Sequence, residues 1–141
     1  MSATNRISEQ AMSNELILIV EDNEKNRRML RDIMQVNDYR TLESESAEEG
    51  IEIARESQPA LVLMDIQLPG MNGIEARERL REDPQTRHIP VVAVTASAMQ
   101  HDQARIEKAG FDAFHYKPIR IKEILATVAD LVGRPGAPGK S

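Results

Sequence analysis

Cysteine and tryptophan are absent from this sequence of 141 residues, and it contains only two tyrosines and two phenylalanines. Without cysteine there can be no disulfide framework, no thiolate metal site and no cysteine nucleophile. The absence of cysteine also fits a cytoplasmic protein, which is the location we expect.

Long apolar runs and an excess of positive charge are missing as well. No run approaches the ~20 apolar residues of a membrane helix, and the N-terminus lacks the basic start and apolar stretch of a secretion signal. The net charge is −5, whereas tight nucleic-acid binding needs clustered Lys and Arg. We therefore expect neither a membrane nor a nucleic acid as a direct partner.

The length allows one domain. Residues 1–14 are polar without hydrophobic periodicity, and residues 133–141 are rich in Gly and Pro. Both segments are predicted to be flexible tails around a domain at residues 15–132. Only nine residues follow residue 132, too few for a DNA-binding or enzymatic output module, so we expect none.

Strand-like and helix-like segments alternate five times within residues 15–132. The predicted strands are Leu16–Val20, Arg40–Glu43, Ala60–Met64, Ile89–Val94 and Asp112–Tyr116. The predicted helices are Asn23–Val36, Ala47–Glu56, one that ends near Arg81, Met99–Ala109 capped by Gly110, and Ile121–Val132. The first helix is expected to bury Met29, Leu30, Ile33 and Met34. Uniformly apolar first, third and fourth strands indicate a parallel sheet covered on both faces, with the charged second strand near an edge.

Polar residues stand where four of these runs end, namely Glu21, Asp22, Asp65, Thr95 and Lys117. Because ligands bind outside the carboxyl ends of strands in an open parallel sheet, we expect these residues to converge. Two close carboxylates repel by roughly 4 kcal/mol at 4 Å and an effective dielectric of 20, so the cluster should hold a cation. Oxygen ligands favour Mg²⁺, and a hydroxyl and an ammonium are donors for phosphoryl oxygens.

Four short motifs carry a resemblance to a known family. They are Val20-Glu21-Asp22-Asn23, Leu63-Met64-Asp65-Ile66-Gln67-Leu68-Pro69, Val94-Thr95-Ala96 and Tyr116-Lys117-Pro118. From Leu16 to about Val132 the chain resembles the receiver domain of bacterial two-component response regulators. The opening Asp22–Arg27 is similar to stand-alone regulators of the DivK type and to receivers of hybrid histidine kinases. The resemblance implies a flavodoxin-like α/β fold with five helices and a parallel sheet of strand order 2-1-3-4-5.

The resemblance also implies roles for the acidic residues. Asp65 would be the nucleophile that takes a phosphoryl group from a kinase phosphohistidine. Asp22, Asp65 and the main-chain carbonyl of Gln67 would ligate Mg²⁺ directly, and Glu21 would act through water.

The remaining family positions would couple phosphorylation to a change of shape. Lys117 would pair first with Asp65 and then with a phosphoryl oxygen. Thr95 would bond another phosphoryl oxygen, and Phe114 would turn inward as Thr95 moves. The Lys117–Pro118 peptide bond would be cis, which is essentially a proline phenomenon.

The implied function is phosphorelay signalling by a single-domain response regulator. The expected donor is a histidine kinase or a histidine phosphotransfer protein. The output would be protein contacts with an unknown target, through the face of the fourth helix, fifth strand and fifth helix or through the first helix. Such a protein catalyses only its own Mg²⁺-dependent phosphoryl transfer and dephosphorylation, so we expect no enzyme activity on another substrate.

Two other functions would use similar residues or the same fold. An aspartyl-phosphate hydrolase of the haloacid dehalogenase type also uses Asp, Thr or Ser, and Lys. That family has a second Asp two residues after the nucleophile, where this chain has Gln67, and the chain has no cap-sized insertion. A receiver fold that is never phosphorylated is the other possibility, and the full set of site residues argues against it.

Two groups of basic residues lie outside this set of site residues. Arg27, Arg28 and Arg31 fall on the first predicted helix, where they form either a solvated face or a docking surface for an acidic partner. The three histidines are not spaced as metal ligands and are predicted to be surface or packing residues; they are His88, His101 and His115.

Overall fold

The computed structural model describes residues 14–96 and 100–133. Apart from Asn14 and Gly133, the two predicted tails lie outside these residues. So does Met99, the predicted first residue of the fourth helix. In the described ranges, no helix combines the length and the apolar character needed to cross a membrane.

Strands and helices alternate through the described residues as predicted. The strands are β1 (Leu16–Val20), β2 (Arg40–Ser44), β3 (Leu61–Asp65), β4 (Val91–Thr95) and β5 (Ala113–Tyr116). The helices are α1 (Glu24–Val36), α2 (Ala47–Ser57), α3 (Gly73–Glu82), α4 (Gln100–Ala109) and α5 (Ile121–Val132). The ends of the strands and helices differ little from the predicted ends. The third strand begins after Ala60 and includes Asp65, and the fourth begins at Val91 instead of Ile89.

The five strands form one parallel sheet in the order β2-β1-β3-β4-β5, which confirms the predicted fold. The edge strands are β2 and β5, and every residue of β3 and β4 is buried. In the register of the sheet Val20 pairs with Met64, Asp65 with Val94, and Thr95 with Tyr116. Since all strands run the same way, their carboxyl ends meet at one edge.

Both faces of the sheet are apolar. Successive side chains of a strand point to opposite sides, so each apolar strand contributes to both faces. One face packs against α1 and α5, with Ile17, Ile19, Leu30, Met34, Leu63, Ile124 and Val128 in its core. The other packs against α2 and α3, with Leu18, Val20, Ala54, Val62, Met64, Ala76 and Leu80. This double cover explains the uniformly apolar central strands.

One predicted core residue is not buried. Met29 is 39% exposed, whereas Leu30, Ile33 and Met34 are buried as predicted. Met29 lies at the border of the apolar stripe of α1, in a shallow groove shared with the exposed Ile121 at the start of α5. The sequence pattern predicts which side of α1 is apolar. It does not predict whether a residue at the border of that side is buried, which depends on how far α5 extends over α1.

Short polar caps start three of the helices directly after the loops that follow β1, β2 and β3. The side-chain oxygens of Asn23, Ser46 and Asn72 accept hydrogen bonds from the backbone N–H groups of the first turns of α1, α2 and α3. Such caps satisfy backbone donors that have no partner within the helix. The cap after β1, Asn23, lies directly after the polar pair Glu21 and Asp22.

Candidate functional site

The end of β1 is held by its neighbours on both sides. The Glu21 backbone N–H donates to the Ser44 carbonyl of β2 over 3.0 Å. The Glu21 carboxylate accepts from the Asn23 N–H through Oε2 at 3.2 Å and from Lys117 Nζ through Oε1 at 2.6 Å. These contacts fix a buried carboxylate at the sheet edge.

Asp65 is the last residue of β3 and is only 4% exposed. Its two carboxylate oxygens face different donors. Oδ1 accepts from the Gln67 backbone N–H at 3.0 Å, and Oδ2 lies 3.3 Å from Lys117 Nζ. The carboxyl group is therefore held in one orientation at the mouth of the sheet.

The start of α3 packs closely against the backbone of Asp65 and Ile66. The Gly73 N–H donates to the Ile66 carbonyl at 3.0 Å. A Cβ on Gly73 would lie 2.4 Å from the Asp65 carbonyl oxygen and 2.8 Å from the Ile66 Cα. Only glycine allows the helix to begin this near to the strand end.

Three carboxylates meet at this edge. Glu21, Asp22 and Asp65 each offer an oxygen, and these oxygens all lie within 4.8 Å of one another. Asp22 is exposed, whereas the other two are buried. Clustered carboxylate oxygens, open to solvent at one corner, are the donor set that a hard divalent cation such as Mg²⁺ prefers. The residues present therefore fit that ion.

The ammonium of Lys117 lies against two of these carboxylates. The shorter contact is to Glu21, not to Asp65, whereas the family resemblance implies Asp65 as the first partner. The Lys117 backbone N–H also donates to the Thr95 carbonyl at 2.8 Å, and the Lys117–Pro118 peptide bond is cis. The side chain thus reaches back from the end of β5 over the ends of β3 and β1.

The electrostatics of the cluster follow from burial and from the contacts with Lys117. Burial and the neighbouring Asp65 carboxylate raise the pKa of Glu21 to about 7, although the contact with Lys117 acts in the opposite direction. Burial lowers the pKa of Lys117, but Glu21 and Asp65 outweigh that effect and leave the pKa raised. Without a metal ion, the site carries more negative charge than one ammonium can compensate.

Thr95 and Phe114 lie beside this cluster. Thr95 ends β4 and is fully buried, and with Gln67 it lines a cavity of about 210 Å³ between the sheet edge, α3 and α4. Phe114 is 38% exposed on the edge strand β5, and its ring packs edge-on against Tyr116 with the ring centres 5.8 Å apart. The structure thus brings the predicted acids, Thr95 and Lys117 to one edge and leaves Phe114 facing outward.

One residue at this edge is not among the predicted site residues. The sequence predicts for Arg27 only a solvated or docking helix face, but its side chain is 13% exposed and donates to the Glu21 carbonyl. Arg28 fits the solvated alternative, since it pairs with Glu24 on the open side of α1. The sequence contains one indication of this contact, because β2 carries Glu43, an acid that can pair with an arginine on the neighbouring helix α1.

The histidines behave as predicted where their side chains are described. His88 is exposed. His115 lies within 2.8 Å of the Thr127 hydroxyl and packs between β5 and α5. The side chain of His101 lies outside the described part of the chain.

Comparison with known proteins identifies the class to which this fold and site belong. The family model described as the response regulator receiver domain matches residues 17–129. The chain therefore belongs to the response regulator receiver family.

Individual relatives agree with this assignment. The chain is 43% identical to the polar-differentiation response regulator DivK of Brucella ovis over 117 residues, which cover 83% of this chain and 95% of that protein. DivK of Brucella anthropi is 42% identical over the same shares.

A solved structure with a related fold is the receiver domain of a sensor histidine kinase from Pseudomonas aeruginosa, which has a magnesium ion coordinated in its active site cleft. It superposes with a TM-score of 0.80 at 27% identity, over 85% of this chain and 98% of that one.

Proposed function

We propose that this protein is a single-domain response regulator that accepts a phosphoryl group on Asp65 and signals through phosphorylation-dependent protein contacts. One observation carries the assignment. Asp65 ends the central strand with one oxygen held by a backbone N–H and the other facing Lys117. Family membership and the similarity to DivK support the same function.

The transfer is a displacement at phosphorus. A carboxylate oxygen of Asp65 attacks the phosphorus of a phosphohistidine on a histidine kinase or a histidine phosphotransfer protein. The new O–P bond forms as the N–P bond breaks, and the departing imidazole keeps the electron pair. The product is an acyl phosphate on Asp65.

The chain's own residues place the charges that this reaction needs. Lys117 lies within reach of Oδ2, so it can follow the new phosphoryl oxygen. Asp22, Asp65 and the main-chain carbonyl of Gln67 would hold Mg²⁺, with Glu21 acting through water. When bound, that ion neutralises the charge of the carboxylates and of the incoming phosphoryl group. A neighbour of related fold carries magnesium in its cleft, which supports this assignment.

The signal would leave the site through Thr95 and Phe114. The Thr95 hydroxyl gains a phosphoryl acceptor only in the modified protein, so it would move towards Asp65 and allow Phe114 to turn inward. The surface of α4, β5 and α5 would then change for an unidentified target protein. The domain would span residues 15–132, act in the cytoplasm and catalyse only its own phosphorylation and dephosphorylation.

Acetyl phosphate tests this function directly. The parent chain, incubated with acetyl phosphate and Mg²⁺, should gain the mass of one phosphoryl group, and Asp65→Asn should gain none. Asp130→Asn is the matched control, because Asp130 is an exposed aspartate on α5; it should be phosphorylated like the parent.

Two results would decide against the proposal. An unmodified parent chain under these conditions would favour a receiver fold that is never phosphorylated. Undiminished labelling of Asp65→Asn would place the phosphoacceptor elsewhere. Once labelling is established, a side-by-side panel of phosphorylated histidine kinases would identify the donor by its transfer rate.

A further inference from the structure

One feature outside the predicted site is the guanidinium of Arg27, whose side chain is 13% exposed. Arg27 lies in the first turn of α1, where its backbone N–H donates to the Asn23 carbonyl at 2.9 Å. An arginine side chain with so little exposure usually has its charge paired. Here the side chain crosses from α1 to the carboxyl ends of β1 and β2.

Three contacts determine where this side chain lies. Nη1 donates to the Glu21 carbonyl oxygen at 3.0 Å. Nε lies 3.3 Å from Glu43 Oε1, and Nη1 lies 3.8 Å from Glu45 Oε1. Glu43 lies in β2 and Glu45 directly after it, so Arg27 is anchored at the end of β2 while it contacts the main chain that follows β1.

The contacted carbonyl belongs to the peptide that joins Glu21 to Asp22. The Glu21 N–H on the other side of the same residue is held by Ser44 of β2. Arg27 therefore fixes the orientation of the Glu21–Asp22 peptide plane. A rotation of that plane would swing the Asp22 Cα and its carboxylate relative to Asp65.

Asp22 depends on this support more than its two neighbours do. Glu21 and Asp65 are buried and are held through their side chains by N–H groups and by Lys117. Asp22 is exposed, and within the described residues no donor is found for its carboxylate. Its position relative to the other two oxygens is thus set through the backbone.

We propose that Arg27 is a positioning residue for the cation site. Arg27 holds the Glu21–Asp22 peptide so that the carboxylates of Asp22 and Asp65 can bind the same ion. It acts through Glu21 and does not touch the ion. This inference rests on the proposed function for the identity of the site, but it concerns cation binding and not phosphorylation. Loss of outer contacts of this kind typically lowers metal affinity by about 10–100-fold.

A titration with Mg²⁺ alone, followed by amide NMR shifts at residues 21–23 and 65–67, tests the proposal. Arg27→Ala should raise the Kd for Mg²⁺ by about 10-fold or more. Arg27→Lys keeps the charge but has no planar fork to contact both the carbonyl and Glu43, so it should also bind more weakly. Arg28→Ala is the control from the open side of α1 and should keep the parent Kd.

A second variant separates positioning from a purely structural role. Glu43→Gln leaves Arg27 in place but weakens its anchor on β2, and should raise the Kd for Mg²⁺ by a smaller factor. If Arg27 only joined α1 to β2, Arg27→Ala and Glu43→Gln would lower the melting temperature in chelator and leave the Kd unchanged. That result overturns the proposal, as does a Kd for Arg27→Lys equal to that of the parent, because charge alone would then suffice.

The phosphorylation rate provides a separate readout. With acetyl phosphate, Arg27→Ala should need more Mg²⁺ for half-maximal rate but recover the parent rate at saturating Mg²⁺. A parent chain that binds Mg²⁺ and is never phosphorylated on Asp65 would refute the proposed function while the shifted Kd still supported the role of Arg27. A parent chain that binds no Mg²⁺ would overturn the positioning role itself.

Discussion

Lys117 Nζ lies 2.6 Å from Glu21 Oε1, although the two residues are 96 positions apart in the sequence. The same nitrogen lies 3.3 Å from Asp65 Oδ2. One ammonium thus joins the carboxyl ends of β1 and β3 across the site. Because three carboxylates cluster there and one ammonium contacts two of them, net negative charge is left at the site, and a divalent cation would relieve that charge.

Magnesium should stabilise the fold. An ion that binds only the native state raises the free energy of unfolding, by about 2.7 kcal/mol at 100 times its Kd. The melting temperature should therefore rise between chelator and several millimolar Mg²⁺. Asp22→Ala should lose most of this rise, and Glu21→Ala should lose less because its contact with the ion is expected to be through water. An unchanged melting temperature in the parent would contradict the cation site.

The pH dependence of stability in chelator should report on Glu21. Its pKa is raised from 4.5 to about 7 in the folded chain. Between these pH values the folded state holds a proton that the unfolded state has released, so stability falls as the pH rises through this window. Glu21→Gln removes the titrating group and should remove that fall.

The quantity to follow is the difference in the free energy of unfolding between the parent and Glu21→Gln. The parent alone is not enough, because a histidine changes the stability with pH in the opposite direction. Burial lowers the pKa of His115, so His115 favours the folded state as the pH rises. Chemical denaturation at several pH values from 4.5 to 7.5 gives the free energies of unfolding. A difference that stays constant over this range would contradict the raised pKa of Glu21.

Gly73→Ala should damage both stability and the site. Its Cβ would lie 2.4 Å from the Asp65 carbonyl oxygen, so α3 or the end of β3 must shift, at a cost of about 1–3 kcal/mol. Gly133→Ala is the matched control, because its Cβ meets nothing within 4 Å and only the positive φ of 76° is strained. Denaturation should show the larger loss for Gly73→Ala, and only this variant should slow phosphorylation by acetyl phosphate. Equal phosphorylation rates would show that the close approach does not position Asp65.

Thr95→Ala should separate phosphorylation from its output. Asp65 keeps its contacts with Gln67 and Lys117, so the variant should still be phosphorylated. The coupling free energy between two sites, here Asp65 and the surface near Phe114, is typically ~1–3 kcal/mol. Without the Thr95 hydroxyl this coupling, and with it the conformational change near Phe114, should be lost. Amide NMR shifts of residues 96–116, with and without a beryllofluoride phosphate mimic, measure this. The same shifts in Thr95→Ala and the parent would exclude a mechanism driven by Thr95.

The order and type of the elements could be predicted because each depends on local pattern. Leu61–Asp65 and Val91–Thr95 are continuous apolar runs that end in a polar residue, and such runs indicate buried parallel strands. The convergence of Asp65, Thr95 and Lys117 followed from the direction of parallel strands alone. Element ends were less accurate, because the last hydrogen bonds of a strand depend on its neighbours.

Other features depended on packing between distant segments. Met29 belongs to the apolar stripe of α1 by its spacing, yet it is 39% exposed in a groove that it shares with Ile121 of α5. Arg27 and Arg28 are adjacent in the sequence and equally charged, but of the two only Arg27 turns towards the end of β2, where it meets Glu43 and Glu45.

The sequence by itself determined the succession of strands and helices, and hence the edge at which the polar residues meet, because hydrophobic periodicity and strand direction are properties of short segments. Only the tertiary structure decided which side chains pair at that edge. Lys117 Nζ lies 2.6 Å from Glu21 and 3.3 Å from Asp65, and Arg27 contacts the Glu21 carbonyl while it is anchored on Glu43. Such distances are set by the packing of α1 onto the sheet and by the position of the edge strand β5 within it, which no local pattern encodes.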